Sequence, residues 1–301
     1  MKKALVVAGN GPSLREIDYT RLPKAYDVFR CNLFWFEDKY YLGRDVAMAF
    51  GNPDAFFEQY YTLKNLIESK DYNIAQIACA NFEVESVEPH NFKETCRQFF
   101  CDALLGSTIL FQNTHIESFI KFNELYQNQR INTGTYLCLL GAVMGYEEIY
   151  IAGIDLYTGG AVYGFDIHDK ANLLQIKPAY ATIAANTKHN PQINLKALEL
   201  LAHICDTRLY TIAPISPLCE HIPLAPVQNP QPNFTPEQKP QNCIKDILLP
   251  NKRAYRNYHK RQRRSALEKN FYYTLIRDLL RLPSNIKNHF KDKKHQKTLL
   301  R

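Results

Sequence analysis

Ala4-Leu-Val-Val-Ala8-Gly9-Asn10-Gly11-Pro12-Ser13-Leu14 stands almost at the start of the chain, and its reading decides the fold. Five apolar residues without polar alternation suit a strand covered on both faces, as a parallel sheet requires. The glycine turn after them leads toward a helix, the arrangement by which α/β folds bring backbone amides close to a ligand phosphate. The dinucleotide fingerprint wants a third glycine where Leu14 stands and an acid after the second strand, where Arg30-Cys31-Asn32 stands. An NAD enzyme is therefore disfavoured.

Working outward, short β-branched or apolar runs recur at Asp27–Cys31, Asp45–Phe50, Ile74–Ala80, Glu148–Ile154 and Arg208–Ala213. Segments with helical spacing lie between them, at Phe56–Leu66, Ile116–Tyr126, Thr133–Met144 and Ile193–Ile204. The alternation predicts one α/β domain, a Rossmann-like, mostly parallel sheet flanked by helices. Residues 1–155 are expected to form its core, and 192–213 to return to it with a helix and a strand. Residues 156–191 are polar with weak periodicity and read as a small lid or acceptor subdomain. Residues 214–251 read as an extended wrap, since 214–240 alone hold eight of the sixteen prolines.

Residues 252–301 carry sixteen Lys/Arg against three Asp/Glu, leaving twenty-one basic and twenty-seven acidic groups for 1–251. A basic block confined to one end points to an anionic surface rather than to a basic active site. Ser265-Ala-Leu-Glu268 has the form of a capping box, opening a run in which Leu267, Phe271, Leu275 and Leu279 recur every four residues until Pro283. The expectation is one amphipathic helix lying on a membrane surface, held by its basic flanks. With 301 residues and 46% hydrophobic composition the chain can bury one catalytic core. No run approaches eighteen apolar residues, and the apolar stretch at the start is too short for a signal peptide. Eight scattered cysteines without a C-x-x-C pair spell neither a zinc site nor a redox motif and fit a reducing cytoplasm.

Asparagines stand at three strand ends: Asn10, Asn32 and Asn52. Ligands of open α/β sheets bind at the carboxyl ends of the strands, which places all three in one crevice. Neutral amides there can bond hydroxyls, a base edge or a carboxylate without repelling an anionic sugar nucleotide. No two aspartates stand two apart, so the D-x-D pair that holds a divalent ion in many glycosyltransferases is missing from the sequence.

Together the blocks Gly9–Leu14, Asp27–Asn32, Phe36–Gly43, Asn52-Pro53, Asn128-Gln-Arg130 and Gly153-Ile-Asp155 resemble glycosyltransferase family 42, the bacterial α-2,3- and α-2,8-sialyltransferases that decorate lipooligosaccharide. The similarity covers about residues 2–213 and returns at Lys245–Pro250 and Leu275–Lys291. It implies a GT-A-like variant of the nucleotide-binding fold, a CMP-sialic acid donor, inversion at the anomeric carbon, no divalent metal or other cofactor, and a homotetramer at the inner face of the cytoplasmic membrane. On the same grounds Asn10, Gly11, Asn32, Asn52, Asn132, Thr133, Gly153, Asp155 and Leu156 are expected around the donor, with Gly153–Asp155 at the cytidine. Arg130 would position donor or acceptor, Tyr157 and Tyr163 would bond the departing phosphate, and His189 would be the general base.

These roles suit the chemistry. Sialic acid carries a carboxylate on its reacting tertiary carbon, so cleavage passes through an oxocarbenium-like state in which the phosphate bond is largely broken. Tyrosine hydroxyls can stabilise the leaving phosphate in place of a metal. A histidine with an ordinary pKa near 6.5 can take the proton of an incoming hydroxyl. His168, in the same polar stretch, is the nearest rival to His189. The sequence departs from the family at Arg130-Ile-Asn132-Thr133-Gly134, where R-I-T-S-G is common, so the hydroxyl expected at the sialic acid carboxylate falls to Thr133. The linkage, α-2,3 alone or with α-2,8 extension, and the acceptor, galactose-terminated or sialic acid-terminated, stay open. Two other readings remain: a transferase using another nucleotide sugar, and a non-enzymatic nucleotide sensor whose tail holds nucleic acid, which no interleaved basic and aromatic module supports.

Overall fold

The computed structural model describes residues 3–84, 88, 91–158, 161–181, 190–232, 234–268 and 270–299. Among these, seven strands form one all-parallel sheet: β1 (Ala4–Ala8), β2 (Asp27–Cys31), β3 (Met48–Gly51), β4 (Ile77–Cys79), β5 (Leu104–Leu105), β6 (Glu148–Ala152) and β7 (Arg208–Thr211). Their spatial order is β7-β6-β1-β2-β3-β4-β5. The chain runs outward from β1 to β5, then returns to the other side of β1 with β6. That reversal makes the β1/β6 junction the topological switch point.

Among the described residues up to 249 the α-helices are α1 (Phe56–Glu68), α2 (Phe92–Phe99), α3 (Thr114–Tyr126), α4 (Thr133–Val143), α5 (Ala171–Ile176) and α6 (Pro191–Ile204), besides the single turn Ser107–Leu110. Strand alternation sends Leu5, Val7, Phe29, Ile149 and Ile151 to one face, where they join a core with Leu137, Leu140, Ile193 and Leu198 from α4 and α6. Helix α4 is buried from Gly134 to Ala142, as expected of a helix that is apolar all round. The opposite face, with Val6, Ala8, Val28 and Tyr150, is covered by irregular chain, including Leu14, Leu42 and Ala225.

Much of that cover is the proline-rich wrap. The Ala225 N–H bonds the Thr211 carbonyl at 2.9 Å, and the Gln228 and Asn229 N–H groups share the Thr20 carbonyl, each at 2.9 Å. Glu237–Gln238 then pairs antiparallel with Lys39–Tyr40, which delivers Lys239 into a buried charged cluster. Arg30, fully buried on β2, makes a bidentate pair with Glu37 at 3.2 and 2.7 Å, and the Tyr72 hydroxyl donates to the same carboxylate at 3.0 Å. The Lys239 ammonium donates to the Trp35 carbonyl at 2.9 Å, stands 3.9 Å from Glu37, and lies over the rings of Tyr40 and Tyr72. Pairing and π-faces make these buried charges tolerable, yet burial still lowers the Lys239 pKa to about 8.

Two expected strands are each divided. Asp45–Phe50 breaks at Ala47, whose N–H turns back to the Val28 carbonyl, so that Asp45–Val46 pairs with Asn73–Ile74 outside the main sheet. Ile74–Ala80 bends in the same way before β4. Residues 250–301 are a separate unit, consisting of α7 (Lys252–Glu268) and α8 (Phe271–Leu299). Here the expected capping box is corrected: Ser265–Glu268 ends α7, and α8 is capped by Asn270, whose side-chain oxygen accepts the Tyr273 N–H at 3.1 Å. Pro283 lies inside α8 rather than ending it, since a lone proline removes one intrahelical bond without stopping the helix. No helix of the described residues is long and apolar enough to cross a membrane.

Lys239 gives the domain a defined pH response. Between about pH 8 and the ordinary lysine value of 10.5 only the unfolded chain holds this proton. Unfolding therefore takes up a proton there, and folded stability rises with pH across that window. Relative to Lys239→Met, the unmodified chain should gain up to about 3 kcal/mol in urea unfolding measured on either side of the window. A constant difference would mean that the ammonium is as well solvated folded as unfolded.

Candidate active site

At the carboxyl edge of the sheet, a cavity of about 380 Å³ opens over the switch point. Gly9–Gly11 follow β1, Cys31 ends β2 and Asn32 follows it, Asn52–Asp54 follow β3, Ala80 and Phe82 follow β4, and Gly153–Tyr157 follow β6. The N-terminus of α4 supplies Asn132, Thr133 and Gly134, and the 156–191 segment adds Tyr163, Lys177 and Tyr180.

The floor depends on two loops at close quarters. The Gly9 N–H bonds the Ala152 carbonyl at 2.9 Å, and the Gly11 N–H bonds the Gly153 carbonyl at 2.8 Å. A Cβ on Gly9 would fall 2.2 Å from the Gly153 oxygen, and Gly153 itself has φ +62°. Both positions therefore require glycine. Asp155 completes the join, accepting from the Ser13 N–H at 2.8 Å and from its hydroxyl at 2.5 Å. Beyond it Leu156 and Tyr157 both take left-handed backbone, φ 53° and 60°, uncommon for such side chains.

The asparagines divide by role. The Asn10 amide donates to the Cys31 carbonyl at 3.0 Å, and the Asn32 amide donates to the Thr133 hydroxyl at 3.3 Å. Each leaves a buried side-chain oxygen without a partner, an acceptor ready for a ligand N–H or O–H. The side-chain oxygens of Asn52 and Asn132 are instead committed locally, to the Asp54 N–H at 3.0 Å and the Thr135 N–H at 2.8 Å. Asn132 thus caps α4 and aims its positive end at the cavity.

Tyr157 and Tyr163 are half-buried in the wall, and Tyr163 stacks on Phe165 with ring centres 5.1 Å apart. Burial pushes the Tyr157 pKa up to about 12 and that of Tyr163 well above its ordinary value. Both therefore stay neutral hydroxyl donors at physiological pH. Arg130 reaches the cavity over the Phe82 ring while its guanidinium pairs with buried Glu124 at 2.5 Å.

The cavity brings together Asn10, Gly11, Asn32, Asn52, Arg130, Asn132, Thr133, Gly153, Asp155, Leu156, Tyr157 and Tyr163. His189 lies outside the described residues. His168 is exposed and not part of the lining. Sequence reasoning missed Asp54, Phe82, Lys177 and Tyr180. Phe82 follows a strand and was reachable by the rule that found the asparagines, whereas Lys177 and Tyr180 sit in a stretch without periodicity.

The match to known proteins is extensive. The family model described as CST-I alpha-2,3-sialyltransferase aligns with residues 3–293. The chain belongs to this sialyltransferase family. CstII from Campylobacter jejuni, solved with the substrate analogue CMP-3FNeuAc, is 44% identical over 86% of this chain and 99% of its own, with TM-score 0.81; CstII is also known with a trisaccharide acceptor and CMP. The monofunctional alpha-2,3-sialyltransferase Cst-I of the same organism is 38% identical over 88% and 94% of the two chains, TM-score 0.82. An uncharacterized protein of Haemophilus influenzae is 32% identical over 235 residues, 76% of this chain and 98% of its own. As a sialyltransferase, the chain has its parallel sheet in the arrangement of this family's solved members.

The carboxylate of Asp155 serves the switch-point join, and that role is measurable without ligand. Asp155→Asn places an amide N–H opposite a Ser13 donor and should lower ligand-free unfolding stability by about 2 kcal/mol. Unchanged stability in calorimetry would assign the carboxylate to substrate alone.

Proposed function

We propose that this sialyltransferase moves sialic acid from CMP-sialic acid to a galactose-terminated glycan of lipooligosaccharide, with inversion and without a divalent metal, His189 acting as base. The observation that carries the reading is the pair of neutral hydroxyls, Tyr157 and Tyr163, in the wall of a cavity built on the switch point.

The donor's nucleotide fits the unpaired side-chain oxygens of Asn10 and Asn32, at the ends of β1 and β2, where a base edge and ribose hydroxyls find acceptors. As the bond to phosphate stretches, negative charge grows on the departing CMP. Tyrosine hydroxyls aimed at that oxygen stabilise it more in the transition state than in the ground state. The positive end of α4 and the Thr133 hydroxyl favour the sialic acid carboxylate. The acceptor hydroxyl, its proton taken by His189, attacks the face opposite the leaving group, and a single displacement inverts the centre. A base of this kind contributes roughly 10² to 10⁴ in rate. The α-2,3 linkage is favoured by the description of the matching family.

Residues 250–301 suit the inner face of an anionic membrane. Phe271, Tyr272, Leu279 and Leu280 are all more than half exposed on a unit rich in Lys and Arg. The homotetramer rests on the resemblance alone, and light scattering tests it.

With a fluorescent lactoside and CMP-sialic acid in EDTA, sialylated product and free CMP should both appear. Transfer that needs an added divalent ion would overturn the metal-free reading. His189→Ala should lower kcat by about 10² or more while CMP binding survives; a folded variant with undiminished kcat would move the base elsewhere.

A further inference from the structure

Tyr180 lines the cavity together with Tyr157 and Tyr163. Its hydroxyl oxygen is buried, yet it has no hydrogen-bond partner among the described residues. Burial also keeps the phenol protonated, because its pKa lies well above the ordinary value. A buried hydroxyl facing a ligand cavity without a partner is a donor awaiting an acceptor.

Its setting is charged. The Lys177 ammonium lies 5.6 Å from the centre of the Tyr180 ring and forms an ion pair with Asp54. Asp54, on the turn after β3, lines the same cavity. A bare carboxylate there would repel an anionic ligand. Lys177 both neutralises it and ties the chain that carries Tyr180 to the sheet edge.

We propose that Tyr180 is a third hydroxyl of the donor site, donating a hydrogen bond to an anionic oxygen of bound CMP-sialic acid, with the Lys177–Asp54 pair holding it in place. The inference rests on the donor assignment made above. The donor offers two such acceptors, the phosphate and the sialic acid carboxylate, and both strengthen a hydrogen bond from a neutral donor.

Titration calorimetry of the full chain with CMP and with a fluorinated, non-transferable CMP-sialic acid separates the possibilities. Tyr180→Phe removes only an unpaired oxygen, so the ligand-free Tm should not fall. Affinity should fall about tenfold, for both ligands if the acceptor is the phosphate and for the sialyl analogue alone if it is the carboxylate. Unchanged affinity for both, in a protein whose unmodified form binds CMP, overturns the role of Tyr180 and leaves the donor assignment standing. An unmodified protein that binds neither ligand overturns the donor assignment itself. Lys177→Met should weaken both ligands several-fold, and adding Asp54→Asn should recover only part of the loss, because it removes the uncompensated acid while the tie that holds Tyr180 stays broken. No loss with Lys177→Met overturns the holding role of the pair.

Discussion

Everything at the working edge of this molecule depends on the approach of two backbones at the ends of β1 and β6. Gly9 and Gly153 are pressed together so closely that neither has room for a side chain. The contact sets where Gly11 can meet the Gly153 carbonyl, where Ser13 can meet Asp155, and hence how Asn10 is presented. It also launches the left-handed pair Leu156-Tyr157, so the direction of one wall tyrosine is decided by backbone geometry rather than by packing of its ring. Strained conformations of this kind persist where the surroundings over-determine them.

The electrostatic character of the cavity follows from its residue types. Few of its charges are left uncompensated: Arg130 is matched by Glu124, Lys177 by Asp54, and Asp155 by the Ser13 donors. What faces the ligand is therefore mostly amides, hydroxyls and the start of a helix. Such a surface can hold a highly anionic molecule and still let go of an anionic product, which a cluster of free cations would retain.

The central strand β1 was legible because it is a continuous apolar run, the pattern that burial on both faces imposes, and β2 was legible from Val28-Phe29 and Cys31 around a single buried arginine. The same pattern misled at Asp45–Phe50 and Ile74–Ala80, since an apolar run continues unbroken through a bend that only the neighbouring strand's hydrogen bonding reveals. β5 has two residues and α2 is polar overall, with Asn91 in left-handed backbone before it. The strand is too short for alternation to show, and the helix, though its Phe92, Cys96 and Phe99 recur at helical spacing, is only eight residues long. In the site, the strand-end rule located Asn10, Asn32 and Asn52, and the family resemblance supplied Tyr157 and Tyr163. It could not say that the side-chain oxygens of Asn52 and Asn132 would be taken by local turns. Nor could it say that an acid, a lysine and a third tyrosine would meet across 126 residues of chain, from Asp54 to Tyr180.

The position of β1 in the sheet also governs the sequence of events during synthesis. Of the strands of this sheet the earliest made, β1, is interior, and its second neighbour, β6, is made only after about 140 further residues. Until then one edge of β1 stands open, with unpaired backbone of the kind that invites wrong pairing. The wrap that carries Lys239 onto Arg30 and Glu37 comes later still. The nascent chain thus cannot hold a finished active site until nearly the whole of its first 249 residues has emerged. Non-local parallel pairing of this order makes for slow folding, and the interval is one in which a chaperone would find substrate.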